Sequence, residues 1–344
     1  MADYYVDPAA TGANDGSSWT DAWTDVQTAF DTVTAGNTCY CRGTQTLTAT
    51  IDVDTQTGSD SAGFIKFVGC NASGNVDGTR FVLNGNSYVV NCINIVNVSD
   101  YYYLQNFEFK NATSSNFFSN SHSSNYWVVE NCLSHSSGLH GFNISRLLYS
   151  IFIGCIARDN TGDGFNVGIA SVDGLFFCSA FDNGVDGYKI SRVVITLGCL
   201  SFNNGQVGFN DVGNAFGQTM FSCVSNNNGH SGIKLSTSGR VAVVLGCRST
   251  NHTSLVAGRG MGLDGNAKYV FEGFNYFENN ENGNVENLTL GRHYIDARGR
   301  STNTSQEDQS NTNQGYMDLT AGSENFNLRD DATLRRVEIT LPGE

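Results

Sequence analysis

The chain has 344 residues, 39 of them glycine and only 2 proline, with a net charge of −14. Such acidity argues against the basic face that nucleic acid or an anionic membrane would need, so neither is expected as a partner. No run of 18 apolar residues marks a membrane span, and the opening Met1-Ala-Asp-Tyr-Tyr-Val-Asp-Pro8 lacks the basic and apolar regions of a secretory signal.

Near the start, Trp19, Trp23, Val26, Phe30 and Val33 step by four, three, four and three. That spacing predicts a helix over residues 17–33, capped by Ser18 or Thr20 and stopped at Gly36. It would lie as a lid across the open end of a sheet stack, where unpaired backbone needs cover. Strand signals follow at residues 38–42, 48–53 and 64–70.

From residue 127 to 263 one pattern recurs. Cys132, Cys155, Cys178, Cys199, Cys223 and Cys247 lie 23, 23, 21, 24 and 24 residues apart. Each follows a β-rich run such as 150–153 or 240–245 and precedes an Asn/Asp/Gly turn and a second short run, such as 141–144. Nowhere does a 3.6-residue period persist long enough for a helix. A repeat of this size and content predicts an all-β, single-stranded parallel β-helix, a solenoid of about ten turns with equivalent residues about 4.8 Å apart. We place residues 1–38 as the N-terminal segment with its capping helix and 39–290 as the solenoid. Residues 291–344 read as a polar linker and an apolar C-terminal segment suited to docking.

Two positions inside the repeat recur as columns. Two residues after each Cys stand Ser134, Ala157, Ala180, Ser201, Ser225 and Ser249, a small inward ladder. Five after stand Ser137, Asn160, Asn183, Asn204 and Asn228, an asparagine ladder at a bend. The cysteines themselves form a third column and are expected as free, buried thiols. No metal site is expected of them, because Cys39 and Cys41 are the one close pair and lack a second pair at zinc spacing.

Several segments carry a family resemblance. Tyr5-Val-Asp-Pro8, Gly16-Ser-Ser-Trp19, residues 23–30, Gly36-Asn-Thr-Cys-Tyr40 and Phe67-Val-Gly69 resemble the cap and first turns of pectin-lyase-like right-handed β-helix proteins. Later turns such as Asn160-Thr-Gly-Asp-Gly164 resemble that superfamily's repeats, so the likeness covers roughly residues 4–290. It implies a right-handed solenoid. It implies no single activity, because the superfamily holds lyases, hydrolases, epimerases, phage tailspikes and non-catalytic adhesins.

Candidate site residues lie at matched positions of consecutive turns. His140, Asp163 and Asp186 precede the second glycine of each repeat, and register predicts about 5 Å between the two aspartates. Together they form a candidate catalytic acid/base cluster, at a separation suited to a retaining glycosidase. The competing reading is that Asp-Gly and Asn-Gly pairs recur because left-handed turn positions demand them. Two residues past the glycine stand Asn143, Asn166, Lys189, Asn210, Lys234 and Asp264. Of these, Asn166, Lys189 and Asn210 are the candidate carbohydrate-binding residues.

Gly229-His-Ser-Gly232, Gly138-Leu-His-Gly141 and Asn160-Thr-Gly-Asp163 each resemble, with a substitution or insertion, short motifs of polygalacturonase-type hydrolases. Resemblance to pectate lyases would instead make Asp159, Asp163, Asp182 and Asp186 a calcium cluster and Arg158 or Arg192 the base. Calcium is thus the sole cofactor in question; no other is expected. Phe181, Phe202, Tyr101 to Tyr103, Tyr126 and Trp127 read as outward aromatics, for sugar stacking or a subunit interface.

Three functions remain open. The first is a non-catalytic virion surface protein, a head-decoration, cement or spike subunit acting as a homotrimer beside other virion proteins. The second is a polysaccharide lyase or glycoside hydrolase, and the third an extracellular carbohydrate-binding adhesin. The absent signal and the absence of a complete catalytic motif favour the first.

Overall fold

The computed structural model describes residues 2–119, 124–168, 173–191, 194–213, 218–235, 241–253, 260–263, 269–273, 276–278, 280 and 300–301. One turn shows how the repeat folds. The run Ile151–Ile153 is a strand of a first sheet, Ile156–Arg158 of a second, and Phe165–Val167 of a third. Gly174–Phe176 then returns the chain to the first sheet, parallel to Ile151–Ile153 and in register with it. Among the described residues the first and second sheets reach eleven strands and the third nine. At about 4.8 Å per strand the first sheet runs close to 50 Å.

The strands are two to six residues long and mostly three, so in a typical strand one or two side chains point inward and the others outward. Phe142, Phe165, Tyr188 and Phe209 form an inward stack from the third sheet, with ring centroids 4.7–5.0 Å apart. Ser134, Ala157, Ala180, Ser201, Ser225 and Ser249 are buried as the small ladder. All ten cysteines are free and buried. Each thiol of the repeat column reaches carbonyls in its own turn and in the previous one, as Cys155 Sγ does with Ile153 O and Val129 O. The column is therefore a set of weak donors facing carbonyls at the bend between the first two sheets.

The asparagine ladder carries the next bend. Asn183 Oδ1 accepts from the backbone N–H of Asn160 and from its Nδ2, at 3.2 and 2.9 Å, and Asn204 and Asn228 repeat the pattern one turn on. Ser137 opens the ladder, and His252 extends it by accepting the Asn228 N–H on Nδ1. Each amide of this ladder is thus satisfied by the turns on either side, which is the condition for burying it at all.

Three expectations need correction. The helix is Val26–Thr32, capped by Asp25, and residues 17–25 are not helical. Trp23 instead bridges Val6, and its ring stacks on Tyr4. The short helix still buries Val26, Ala29 and Phe30, with Phe30 stacked 4.0 Å from Phe67 of the first sheet. Trp127 and Tyr102 are buried rather than outward: their rings stack, and Trp127 donates to Ser99 O. The repeat glycines Gly164 and Gly187 are not left-handed. A Cβ on either would sit 2.8 Å from the carbonyl of the equivalent glycine one turn on, so they are needed for close approach. Left-handed backbone recurs instead at Ser136, Asp159, Asp182, Asn203, Asn227 and Asn251, and again just before each repeat cysteine, at Asn131, Gly154, Phe177, Gly198, Ser222 and Gly246. At the N-terminus, Asp3–Val6 pairs with Thr38–Arg42 and so joins the first sheet directly. Most of residues 291–344, assigned to linker and docking segment, lie outside the described residues.

Candidate functional site

The bend that leads into the third sheet holds His140, Asp163 and Asp186, and the sheet itself holds the amide and lysine column. Register brings the column together: Asn143, Asn166, Lys189, Asn210 and Lys234 are direct neighbours on successive strands. All five point outward and are half-buried. Asn166 Nδ2 donates to Asn143 Oδ1 at 3.0 Å. Among the described residues neither Lys189 nor Lys234 makes an ion pair.

His140, Asp163 and Asp186 are also brought together, but inward. The Asp163 N–H donates to His140 Nδ1 at 3.0 Å, the Asp186 N–H to Asp163 Oδ1 at 3.1 Å, and the Val207 N–H to Asp186 Oδ1 at 2.9 Å. Asp186 Oδ2 accepts from Asn210 Nδ2 at 2.7 Å. Both aspartates are at most 2% exposed. These side chains therefore form a second ladder, each one holding the backbone of the next turn.

Burial sets their protonation. It raises both aspartates from their ordinary value, with backbone and amide hydrogen bonds pulling back. It lowers His140 to about 4, helped by the charge of Lys189. His140 Nδ1 lies 3.2 Å from Asp163 Oδ2, a distance an ion pair would allow. The opposed shifts and the N–H already received by Nδ1 both speak for a neutral imidazole there. A neutral His140 with Nδ1 occupied carries its proton on Nε2 and can donate, but it is not a free base.

The calcium set does not fit. Asp159 and Asp182 are exposed at left-handed bends, while Asp163 and Asp186 are committed to backbone donors. Among the described residues no three histidine, cysteine or carboxylate side chains gather as a metal-ligand group. Arg158 pairs with Asp159, and Arg192 and Asp264 lie outside the described residues.

One charged cluster was missed in the sequence. Glu108 Oε1 lies 3.0 Å from Lys110 Nζ and 3.2 Å from His135 Nε2 on the outer face of the second sheet. Hydrogen bonding from His135 and then Lys110 holds the Glu108 carboxyl down to about 2. The spacing of Glu108 and Lys110 on one strand was visible; the partner one turn away needed the register. Phe181 and Phe202 do face outward, stacked at 4.6 Å, as do the stacked Tyr101, Tyr126 and Tyr149.

No protein-family profile matches the sequence, and no curated sequence does. Solved structures do match. A pectate lyase superposes with a TM-score of 0.55 and 19% identity, over 88% of this chain and 78% of that one. The A-module of a mannuronan C-5 epimerase from Azotobacter vinelandii gives 0.60 and 15%, over 86% and 96%. The fold is that of the pectin-lyase-like right-handed β-helices. A rhamnogalacturonan lyase gives 0.50 and 14%, over 88% and 87%. Likeness at this level of identity extends to the pectin-lyase-like backbone and no further.

Proposed function

We propose that the chain holds an acidic polysaccharide lengthwise along the outer face of the third sheet. The observation that carries this is the column Asn143, Asn166, Lys189, Asn210 and Lys234, one side chain per strand. A sugar in an extended polymer advances by about one strand spacing, so successive turns meet successive sugars. In a chain of net charge −14, two lysines without ion-pair partners on one face favour an anionic ligand. The names of the structural neighbours, a pectate lyase, a rhamnogalacturonan lyase and a mannuronan C-5 epimerase, support the same class. Nothing in the fold or the comparisons supports the virion-surface role. An extracellular setting belongs to the same proposal.

Turnover is a second reading, favoured by the position of Lys189 within electrostatic reach of Asp163, Asp186 and His140. Asp163 and Asp186 are enclosed and committed to backbone donors. Lys189 is the outward group there able to move a proton, as β-elimination from a uronate requires. Calorimetry against uronate-containing and neutral polymers tests the binding, with only the former expected to bind and Lys189→Ala expected to weaken it about tenfold. Equal affinity for a neutral glucan would sink the proposal. Ultraviolet absorbance of unsaturated uronate tests turnover; Lys189→Arg should keep binding and lose any such product.

A further inference from the structure

On the outer face of the second sheet, three side chains from two turns line up in an order that the binding face does not use. Ser136 Oγ lies 3.0 Å from His135 Nδ1, and His135 Nε2 lies 3.2 Å from Glu108 Oε1. A carboxylate only accepts, so Nε2 carries a proton and donates to Glu108. Nδ1 of the neutral ring then keeps its lone pair, and the Ser136 hydroxyl donates to it. Lys110 Nζ reaches the same Glu108 oxygen at 3.0 Å and helps to fix the carboxylate. Nucleophile, base and orienting acid are thus in hydrogen-bond contact in that order.

The serine is also out of place in its column. Register puts Asn111 one turn before Ser136 and Asp159 one turn after, and Asp182, Asn203, Asn227 and Asn251 follow. All seven have left-handed backbone, with Ser136 at φ 56°. Asn and Asp tolerate that conformation through local bonds of their short side chains, and serine is less suited to it. The turn alone therefore does not explain why a serine stands there. Ser136 is exposed, whereas the side chains of His135 and Glu108 are only 14% and 20% exposed.

We infer that Ser136, His135 and Glu108 hydrolyse esters of short acyl groups, at a site separate from the third-sheet binding face and independent of it. In the first step the Ser136 oxygen attacks the ester carbonyl carbon while its proton passes to His135 Nδ1. The carbon–oxygen bond to the alcohol then breaks, Nδ1 returns the proton to the departing oxygen, and the acyl group stays on Ser136. Water, giving its proton to Nδ1, attacks that acyl group in turn; the acid leaves and the Ser136 hydroxyl is restored. Glu108 orients the ring and offsets the charge it gains. Arg158 stands one strand step from His135 in the same outward column and has N–H groups beyond the one given to Asp159. It is the group placed to meet the negative carbonyl oxygen. Leu133 and Ile156 lie two residues earlier on the same strands, hence on the same outer face. They offer little apolar surface, which limits the acyl group to a short one such as acetyl.

The test uses the full chain with p-nitrophenyl acetate and, separately, with a fluorophosphonate, which bonds stably to an activated serine. Mass spectrometry should place the phosphonate on Ser136, and His135→Gln should abolish the labelling. Ser136→Asn should lower kcat for the acetate ester about a hundredfold. It should also melt at or above the wild type, because asparagine suits the left-handed backbone. Glu108→Gln should lower kcat about tenfold with KM unchanged, the split expected of a positioning group. Hydrolysis by Ser136→Asn at the wild-type rate would overturn the inference, as would phosphonate found elsewhere or nowhere. A Ser136→Asn chain that melts well below the wild type would show that the fold, not the chemistry, keeps the serine, and would likewise overturn it.

Discussion

The outer faces of the first and third sheets are built on the same solenoid, with the same register and the same interior behind them, yet their chemistry differs. Across the five strands from Ile151–Ile153 to Val241–Leu245 the first sheet turns out Ile151, Ile153, Phe176, Ile195, Leu197, Thr219, Phe221, Val243 and Leu245, all but Thr219 apolar. No charged side chain interrupts them. Over the same turns the third sheet turns out amides and lysines. In its earlier strands the first sheet is polar too, with Arg42, Lys66, Tyr103 bonded to Glu130, and Gln105. The difference teaches that a solenoid fixes spacing and leaves each outer column free to take its own ligand. Near-continuous apolar runs belong to strands covered on both faces. Ile195 is nonetheless 42% exposed. We propose that a second copy of this chain covers it, in the homotrimer expected from the sequence. The face is flat, uncharged and repetitive, and so suits an identical neighbour.

The largest effect should come from the interior that both faces share. Asn204→Leu takes the Asn204 side chain away from the Asn183 N–H, from Asn183 Nδ2 and from the Ala180 carbonyl. It should cost about 3 kcal/mol in urea unfolding and damage both faces together. Next come reciprocal changes outside. Lys189→Ala should lose about 1.4 kcal/mol of glycan affinity, whereas Ile195→Ala should lose none. Equal losses would abolish the distinction between the faces.

A smaller effect is set by pH. Burial lowers His252, in the ladder, to about 4, and His140, beside the third sheet, to about 4 as well. A histidine with its folded pKa below its unfolded value stabilises the protein above about 6.5 and loses that as pH falls toward 4. Near pH 5.5 the loss from His252 should be about 1 kcal/mol. The buried aspartates act in the opposite sense: their raised pKa favours the fold as they protonate and is lost as pH rises through it. His252→Asn, which restores the ladder residue of the preceding turns, should flatten the melting temperature between pH 7 and 5. Unchanged pH dependence would place the titration elsewhere. The smallest expected change in monomer stability, within about 0.5 kcal/mol, belongs to Leu197→Lys on the first sheet. Light scattering should nonetheless show that this variant no longer forms the trimer; a wild-type chain that is monomeric would remove the association altogether.

Repetition made much of this legible. A side chain recurring every 21 to 24 residues must stack on its own copies, so Cys155 above Cys132 and Asn183 above Asn160 were readable without coordinates. The helix was misjudged because Trp19 and Trp23 mimic its period while serving something else: Trp19 packs on Tyr5 and Arg42, and Trp23 on Tyr4. Neither contact is local in sequence.

For the candidate site, sequence alone determined which residues are neighbours, since register follows from the repeat. Lys189 beside Asn166 and Asn210 is such a case. Only the tertiary structure decided which way the residues of the bend point. Strand positions alternate with a period of two, but a bend has no period, and Asp163 and Asp159 read alike in the sequence. One carboxylate is enclosed against backbone N–H groups of the next turn and the other is exposed beside Arg158. The path of the chain around the corner makes that choice, and the corner is shaped by contacts with the turns above and below.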